Sequence, residues 1–148
     1  MSSRWWIALF IGGAIFTAVT AYVLFTLPAQ PQQARVSAGQ VLYAANCAKC
    51  HGADLQGQPD WMKRNENGRL PAPPHDESGH SWHHSDRQLF TITKFGLAAI
   101  APGYESDMPA FDGVLTDDEI RSVWDYIKST WSDRARTFQE ARTKADPG

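Results

Sequence analysis

The sequence predicts an all-α fold of about three main helices with long loops, preceded by one N-terminal transmembrane helix. Three observations carry this. The 23 residues from Trp5 to Leu27 contain no charged side chain. Two capping boxes, Ser85 with Gln88 and Thr116 with Glu119, each open a segment whose apolar residues recur at helical spacing. Between the elements lie stretches rich in Gly, Pro, Asn, Asp and His, and no strand–helix–strand pattern is visible.

In chain order, the charge-free run is about 34 Å long as a helix, against a hydrocarbon core of about 30 Å. A signal peptide is the rival. Its apolar region is shorter, about 7 to 15 residues, and ends in a small-x-small site. Leu27-Pro28-Ala29 is a poor match to such a site and Val19-Thr20-Ala21 a better one. The length favours an uncleaved anchor over residues 1–27. Trp5 and Trp6 suit one interface and Tyr22 the other, and Arg4 with the amino terminus predicts a cytoplasmic N-terminus. Residues 28–36 (PAQPQQARV) read as a linker that spans at most about 30 Å.

Ser37 is the expected N-cap of a first helix from Ala38 to about Asn46, with Gly39, Val41, Leu42 and Ala45 on one face. It runs into Cys47-Ala48-Lys49-Cys50-His51. Gly52 to His84 then reads as a long loop, with Trp61, Leu70 and Trp82 its expected buried contacts. Ser85 caps a helix from Asp86 to Phe95 with Gly96 as its stop. Ala98 to Pro109 is a second loop. Thr116 caps a helix that runs to about Trp131, with Ile120, Val123, Trp124, Ile127 and Trp131 as one stripe. Residues 132–148 are a charged, apolar-poor tail that either extends this helix or frays. Residues 37–131 are therefore the expected domain.

The net charge of −2 among 148 residues gives no field suited to nucleic acid. Mean hydropathy is −0.40 despite the apolar run, so the rest is polar and its own core is modest.

The chemistry lies in the C-x-x-C-H pentapeptide, which reads as a c-type haem attachment site. Cys47 and Cys50 can each add to one vinyl group of a porphyrin, and His51 then offers its imidazole to the iron. The alternatives are a redox dithiol and half a zinc site. These are the only two cysteines, so a second Cys pair for zinc is missing, as is the setting of a thioredoxin-like motif. One covalent haem c is the expected cofactor. For the second axial position Met108 is favoured: it stands 57 residues beyond His51, between two expected helices, with Pro109 stiffening the turn. A thioether there raises the reduction potential. Met62, in a polar loop, is the weaker choice. His75, His80, His83 and His84 admit three readings: loop histidines near haem propionates, a second metal site, or a bis-His haem.

Together these residues resemble the class I c-type cytochromes. The resemblance covers Ser37 to Trp131. It rests on Gly39 and Tyr43, Cys47 to Gly52, Met108-Pro109, and Val123 with Tyr126. It implies that Gly39 and Tyr43 of the first helix cross Val123 and Tyr126 of the last. It also implies that a proline carbonyl, from Pro71, Pro73 or Pro74, accepts from the free nitrogen of His51. The implied function is that of an electron carrier and not of an enzyme: a membrane-tethered mono-haem cytochrome passing single electrons between respiratory-chain partners. Its expected location is the bacterial inner membrane, with a single pass and the haem domain in the periplasm. The histidine-rich loop departs from the pattern and keeps open a metal-handling or sensing module; a haem peroxidase is the remaining alternative.

Overall fold

The computed structural model describes residues 31–146. The chain divides into two units, Met1–Pro31 and Gln32–Gly148, and the second is described here. The segment expected to be a membrane anchor lies outside the described residues. Among those described, no helix is long and apolar enough to cross a membrane.

Every regular element described is helical. In order they are α1 (Pro31–Asn46), α2 (Ala48–His51), a 3-10 turn (Ser81–His83), α3 (Asp86–Phe95), a second 3-10 turn (Leu97–Ala99), α4 (Asp117–Ser129) and α5 (Asp133–Ala145). The two capping boxes form as expected, with the Ser85 hydroxyl accepting from the Gln88 N–H and the Thr116 hydroxyl from the Glu119 N–H.

Among the described residues helix α1 already runs from Pro31, ahead of the start expected at Ala38. Residues 31–36, read as linker, are its first turns, and Ser37 is an interior residue and not a cap. Proline is tolerated at a helix start because the missing N–H has no partner there anyway. Arg35 then ties the first turns to Asp125 of α4 at 2.8 Å. The buried face of α1 is Gly39 and Tyr43, whereas Val41 and Ala45 point outward and Val41 is 70% exposed. The face was misread because it is narrow: one glycine and one aromatic, with aliphatic residues beside it.

That glycine and aromatic are where α1 meets α4. A Cβ on Gly39 would lie 1.8 Å from the Ser122 carbonyl oxygen, so two helix backbones touch at this point. One turn on, Tyr43 packs on Tyr126 with ring centroids 5.5 Å apart. Of the expected stripe, Ile120, Val123, Trp124 and Ile127 of α4 are buried, and so is Trp131 just beyond the helix end. Each of the aliphatic members removed from water stabilises the fold by about 2 kcal/mol. Helix α3 joins them through Leu89 and through Thr93, whose hydroxyl accepts from the Trp124 indole N–H at 3.0 Å.

The charged tail is a helix of its own. Ser132 caps α5, which buries Ala135 and Gln139 and lays Phe138 edge-on against Trp82 at 5.3 Å. Gln139 Nε2 donates to Asp86 Oδ1 at 2.7 Å and to Thr143 Oγ1 at 3.1 Å, with the His84 carbonyl at 3.3 Å. This docking is largely polar, so apolar periodicity did not announce it.

The long loop is ordered by its backbone. The Gly57 N–H donates to the His51 carbonyl at 2.7 Å, and Gln58 and Ala72 exchange two hydrogen bonds at 2.9 Å, one through the Gln58 side chain. His75 and Asp76 N–H groups both point to the Leu55 carbonyl. Trp61, Leu70 and Trp82 are only half-buried; the buried residues of the loop are Leu55, Pro74, His75 and Ser81.

Candidate functional site

Tyr43 connects the helix crossing to the pentapeptide. Its hydroxyl donates to the Gly52 carbonyl at 2.8 Å, and its own carbonyl accepts from the Cys47 N–H at 2.8 Å. From there α2 makes a single turn, with the Cys50 and His51 N–H groups directed at the Cys47 carbonyl. Gly52 ends it at φ +82°, a conformation that favours glycine. This turn brings Cys47, Cys50 and His51 together. Both thiols are free; Cys47 is half-buried and Cys50 exposed. Burial first, and then the neighbouring Cys50, pushes the Cys47 thiol up to about 11.

His51 is buried, and desolvation lowers its pKa against the opposing pull of a hydrogen bond. That bond joins His51 Nδ1 to the Pro73 carbonyl at 2.8 Å. A carbonyl only accepts, so the proton sits on Nδ1 and the lone pair on Nε2. An imidazole fixed in this tautomer is oriented as a metal ligand through Nε2. Of the three prolines that the resemblance left open, Pro73 is the partner.

Two glycines lie against consecutive peptides of this segment, Gly57 against Pro73–Pro74 and Gly79 against Pro74–His75. A Cβ on Gly57 would lie 2.5 Å from Pro74 N, and one on Gly79 would lie 2.0 Å from the Pro74 carbonyl oxygen. The sequence marks both glycines as turn formers only. Their role as flat walls against a distant peptide has no local signature.

His75 also joins the site. Its ring stacks on His51 with centroids 4.1 Å apart and planes at 21°, and its Nδ1 lies 2.8 Å from the Ser81 hydroxyl. Its carbonyl accepts from the Trp131 indole at 2.7 Å. Burial, then the neighbouring His51 and His80 imidazoles, holds its pKa well below the usual histidine range. The other loop histidines take different partners, although the rings of His80 and His84 meet edge-on with centroids 5.3 Å apart. His80 stacks on Trp61, His83 packs on Trp82 and Phe138, and His84 Nδ1 lies 3.3 Å from Gln88 Oε1. Among the described residues no group of three or more His, Cys, Asp or Glu is placed to hold a metal ion. The second metal site read from His75, His80, His83 and His84 is therefore not supported: these rings are engaged in aromatic stacking and local hydrogen bonds.

Met108 is half-buried and packs against the same hydrophobic cluster as Cys47. Its N–H donates to the Ser106 hydroxyl at 3.1 Å. Met62 is 76% exposed and contributes nothing to the site.

A family model described as cytochrome C oxidase, cbb3-type, subunit III matches residues 34–127. Three similar relatives bear related names. The cbb3-type cytochrome c oxidase subunit FixP of Sinorhizobium medicae is 26% identical over 68% of this chain and 32% of the relative. FixP of Bradyrhizobium diazoefficiens is 31% identical over 62% of this chain and 29% of the relative. The subunit CcoP of Rhodobacter capsulatus is 27% identical over 75% of this chain and 34% of the relative. The chain thus spans about a third of the length of the curated relatives it matches. No solved structure matches.

The cofactor that such a domain implies is covalently bound haem c, and the residues present fit it. Two free thiols stand three positions apart on one turn, next to a buried imidazole whose tautomer presents Nε2. The all-helical architecture, the Gly39 and Tyr43 crossing and the family match converge, and the chain belongs to the cytochrome c oxidase cbb3-type subunit III family of c-type cytochromes.

Proposed function

We propose that this chain is a membrane-tethered mono-haem c-type cytochrome that transfers single electrons between respiratory-chain partners. Cys47 and Cys50 would hold the haem through thioethers, and His51 and Met108 would ligate its iron. The observation that carries the reading is the His51 Nδ1 bond to the Pro73 carbonyl, on the turn that bears both free thiols. Haem supplies a one-electron couple when bound; the chain's residues fasten it, set the ligand field and keep water away. With both axial positions filled there is no open site for substrate, so the chain is a carrier and not an enzyme. Met108 is supported by its packing against the core cluster that Cys47 also touches and by the Ser106 and Pro109 constraints on its backbone.

Residues 1–27 serve as the anchor, with the N-terminus cytoplasmic and residues 37–131 in the periplasm of a bacterial inner membrane. The charge-free run supports the anchor. The relatives named as subunits of cbb3-type cytochrome c oxidase support a partner in a membrane oxidase or another redox complex of the same chain. The test is extraction of the matured protein with acid acetone, where the colour stays with the polypeptide. Met108→Ala then changes the visible spectrum and lowers the potential. Colour that leaves with the solvent ends the haem c reading, and an unchanged spectrum and potential in Met108→Ala ends the ligand assignment.

A further inference from the structure

Two arginines on one turn of the long loop reach across to the segment just before Met108. Arg69 pairs with Asp107, and its Nη2 lies 3.6 Å from Glu105 Oε2. Arg64 lies over the ring of Tyr104, 5.8 Å from its centroid. The turn that carries them is pinned at several points. Asn65 Oδ1 accepts from the N–H groups of Asn67 and Arg69 at 3.0 Å, and the Asn65 N–H donates to the Arg69 carbonyl at 2.8 Å. Arg64 Nη1 donates to the Gly68 carbonyl at 2.6 Å. So the loop that supplies the Pro73 carbonyl to His51 also grips the approach to Met108.

An exposed ion pair adds little to folding stability. Here it bears on a different equilibrium. A thioether bound to ferric iron competes with outside ligands, and the outcome depends on how often the Met108 segment swings away. A contact present only in the closed arrangement shifts that population by its own differential free energy.

We propose that Arg69, assisted by Arg64, is a positioning residue: an ionic clamp that fastens Tyr104 to Asp107 against the proximal loop and so keeps the Met108 sulfur on the iron. The inference rests on Met108 being the ligand, and it explains what the polar half of the long loop is for.

The test uses the full-length ferric holoprotein and imidazole as the competing ligand, with binding read from the Soret band. Arg69→Gln and Asp107→Asn each raise imidazole affinity about two- to fivefold at low ionic strength, the weight of a single exposed pair. Arg69→Lys, which keeps the charge, stays closer to wild type than Arg69→Gln. Salt at about 0.5 M brings wild type toward Arg69→Gln by screening the pair. In a Met108→Ala background Arg69→Gln has no effect, because nothing is left to hold. The clamp is overturned if Arg69→Gln and Asp107→Asn match wild type while Met108→Ala binds imidazole far more tightly; the ligand assignment then survives alone. It is equally overturned if Arg69→Gln acts as strongly without Met108, which would mean general loosening. If Met108→Ala binds imidazole as wild type does, the ligand assignment and the clamp fall together. Should Arg69→Gln not fold, Asp107→Asn breaks the same pair from the other side.

Discussion

Gly39→Ala sets two opposing effects against each other at the contact on which the domain's packing turns. Alanine is the better helix former, and in the interior of α1 the exchange would by itself stabilise by about 1 kcal/mol. But the added Cβ would lie 1.8 Å from the Ser122 carbonyl oxygen and 3.1 Å from the Tyr126 Cβ. A carbon and an oxygen without a conventional hydrogen bond settle at about 3.3 Å, so α1 and α4 must part by roughly 1.5 Å. The obstacle is backbone, which has no rotamer to escape into. Overpacking of this kind costs about 3 kcal/mol, and loosening Tyr43 and Val123 at the same interface adds part of their burial energy. The net loss is about 2–4 kcal/mol, which in a domain of this size lowers Tm by about 8–16 °C. The assay is thermal and guanidinium unfolding of the holoprotein, followed by far-UV circular dichroism. Gln40→Ala, on the exposed face of the same helix, serves as the control and should stay within about 0.5 kcal/mol of wild type. A Gly39→Ala protein as stable as wild type, or more so, would show that the helices do not touch at this point.

Two further predictions concern groups that hold the helices around the site. The Tyr43 phenol is buried against α4, and burial, then the neighbouring Cys47 and Tyr126, raises its pKa far above the ordinary value of about 10. Because the folded value is the higher one, this group's stabilisation is complete below about pH 10 and is lost above it, by up to about 1.4 kcal/mol per pH unit. Tyr43→Phe forfeits the bond to Gly52, worth about 1 kcal/mol at neutral pH, but escapes the alkaline loss, so urea-derived stabilities of the two proteins converge as pH rises past 10. Curves that stay parallel would sink the argument. Gln139→Leu keeps the volume but removes the donor to Asp86, Thr143 and the His84 carbonyl, and should cost about 2 kcal/mol with faster amide exchange along α5. Unchanged exchange in α5 would mean that the polar docking does not secure the helix.

What the sequence shows of this fold depends on how local the cause is. The capping boxes at Ser85 and Thr116 and the stripe from Ile120 to Trp131 are set by neighbours within a few turns, and they form as read. The early turns of α1 carry Arg35, whose partner Asp125 is ninety positions away, so the spacing around Ser37 pointed to a start too far along the chain. Helix α5 has few apolar residues, and its docking is carried by Gln139, Phe138 and the Ser132 cap, so a reading based on hydrophobic period treats it as solvent-exposed tail. The histidine run suggested a metal site because composition shows which ligands are available and not where their rings point. Stacking on Trp61, Trp82 and Phe138 decides that, and of these partners only Trp82 stands in the run itself.

The site divides along the same line. The pentapeptide is legible because one helical turn contains all of its geometry: two thiols and an imidazole need nothing beyond α2 to stand together. The orientation of His51 is not legible, because three prolines within four residues offer the same carbonyl chemistry. Only Pro73 is chosen, on a segment where Gly57 lies against the Pro73–Pro74 peptide and Gly79 against the Pro74–His75 peptide, each without room for a Cβ. The Gly57 wall thus helps to place the carbonyl that fixes the imidazole tautomer. A side chain at Gly57 must displace the Pro73–Pro74 peptide, and the bond to Nδ1 with it. A substitution there would thereby alter the basicity of the His51 ligand.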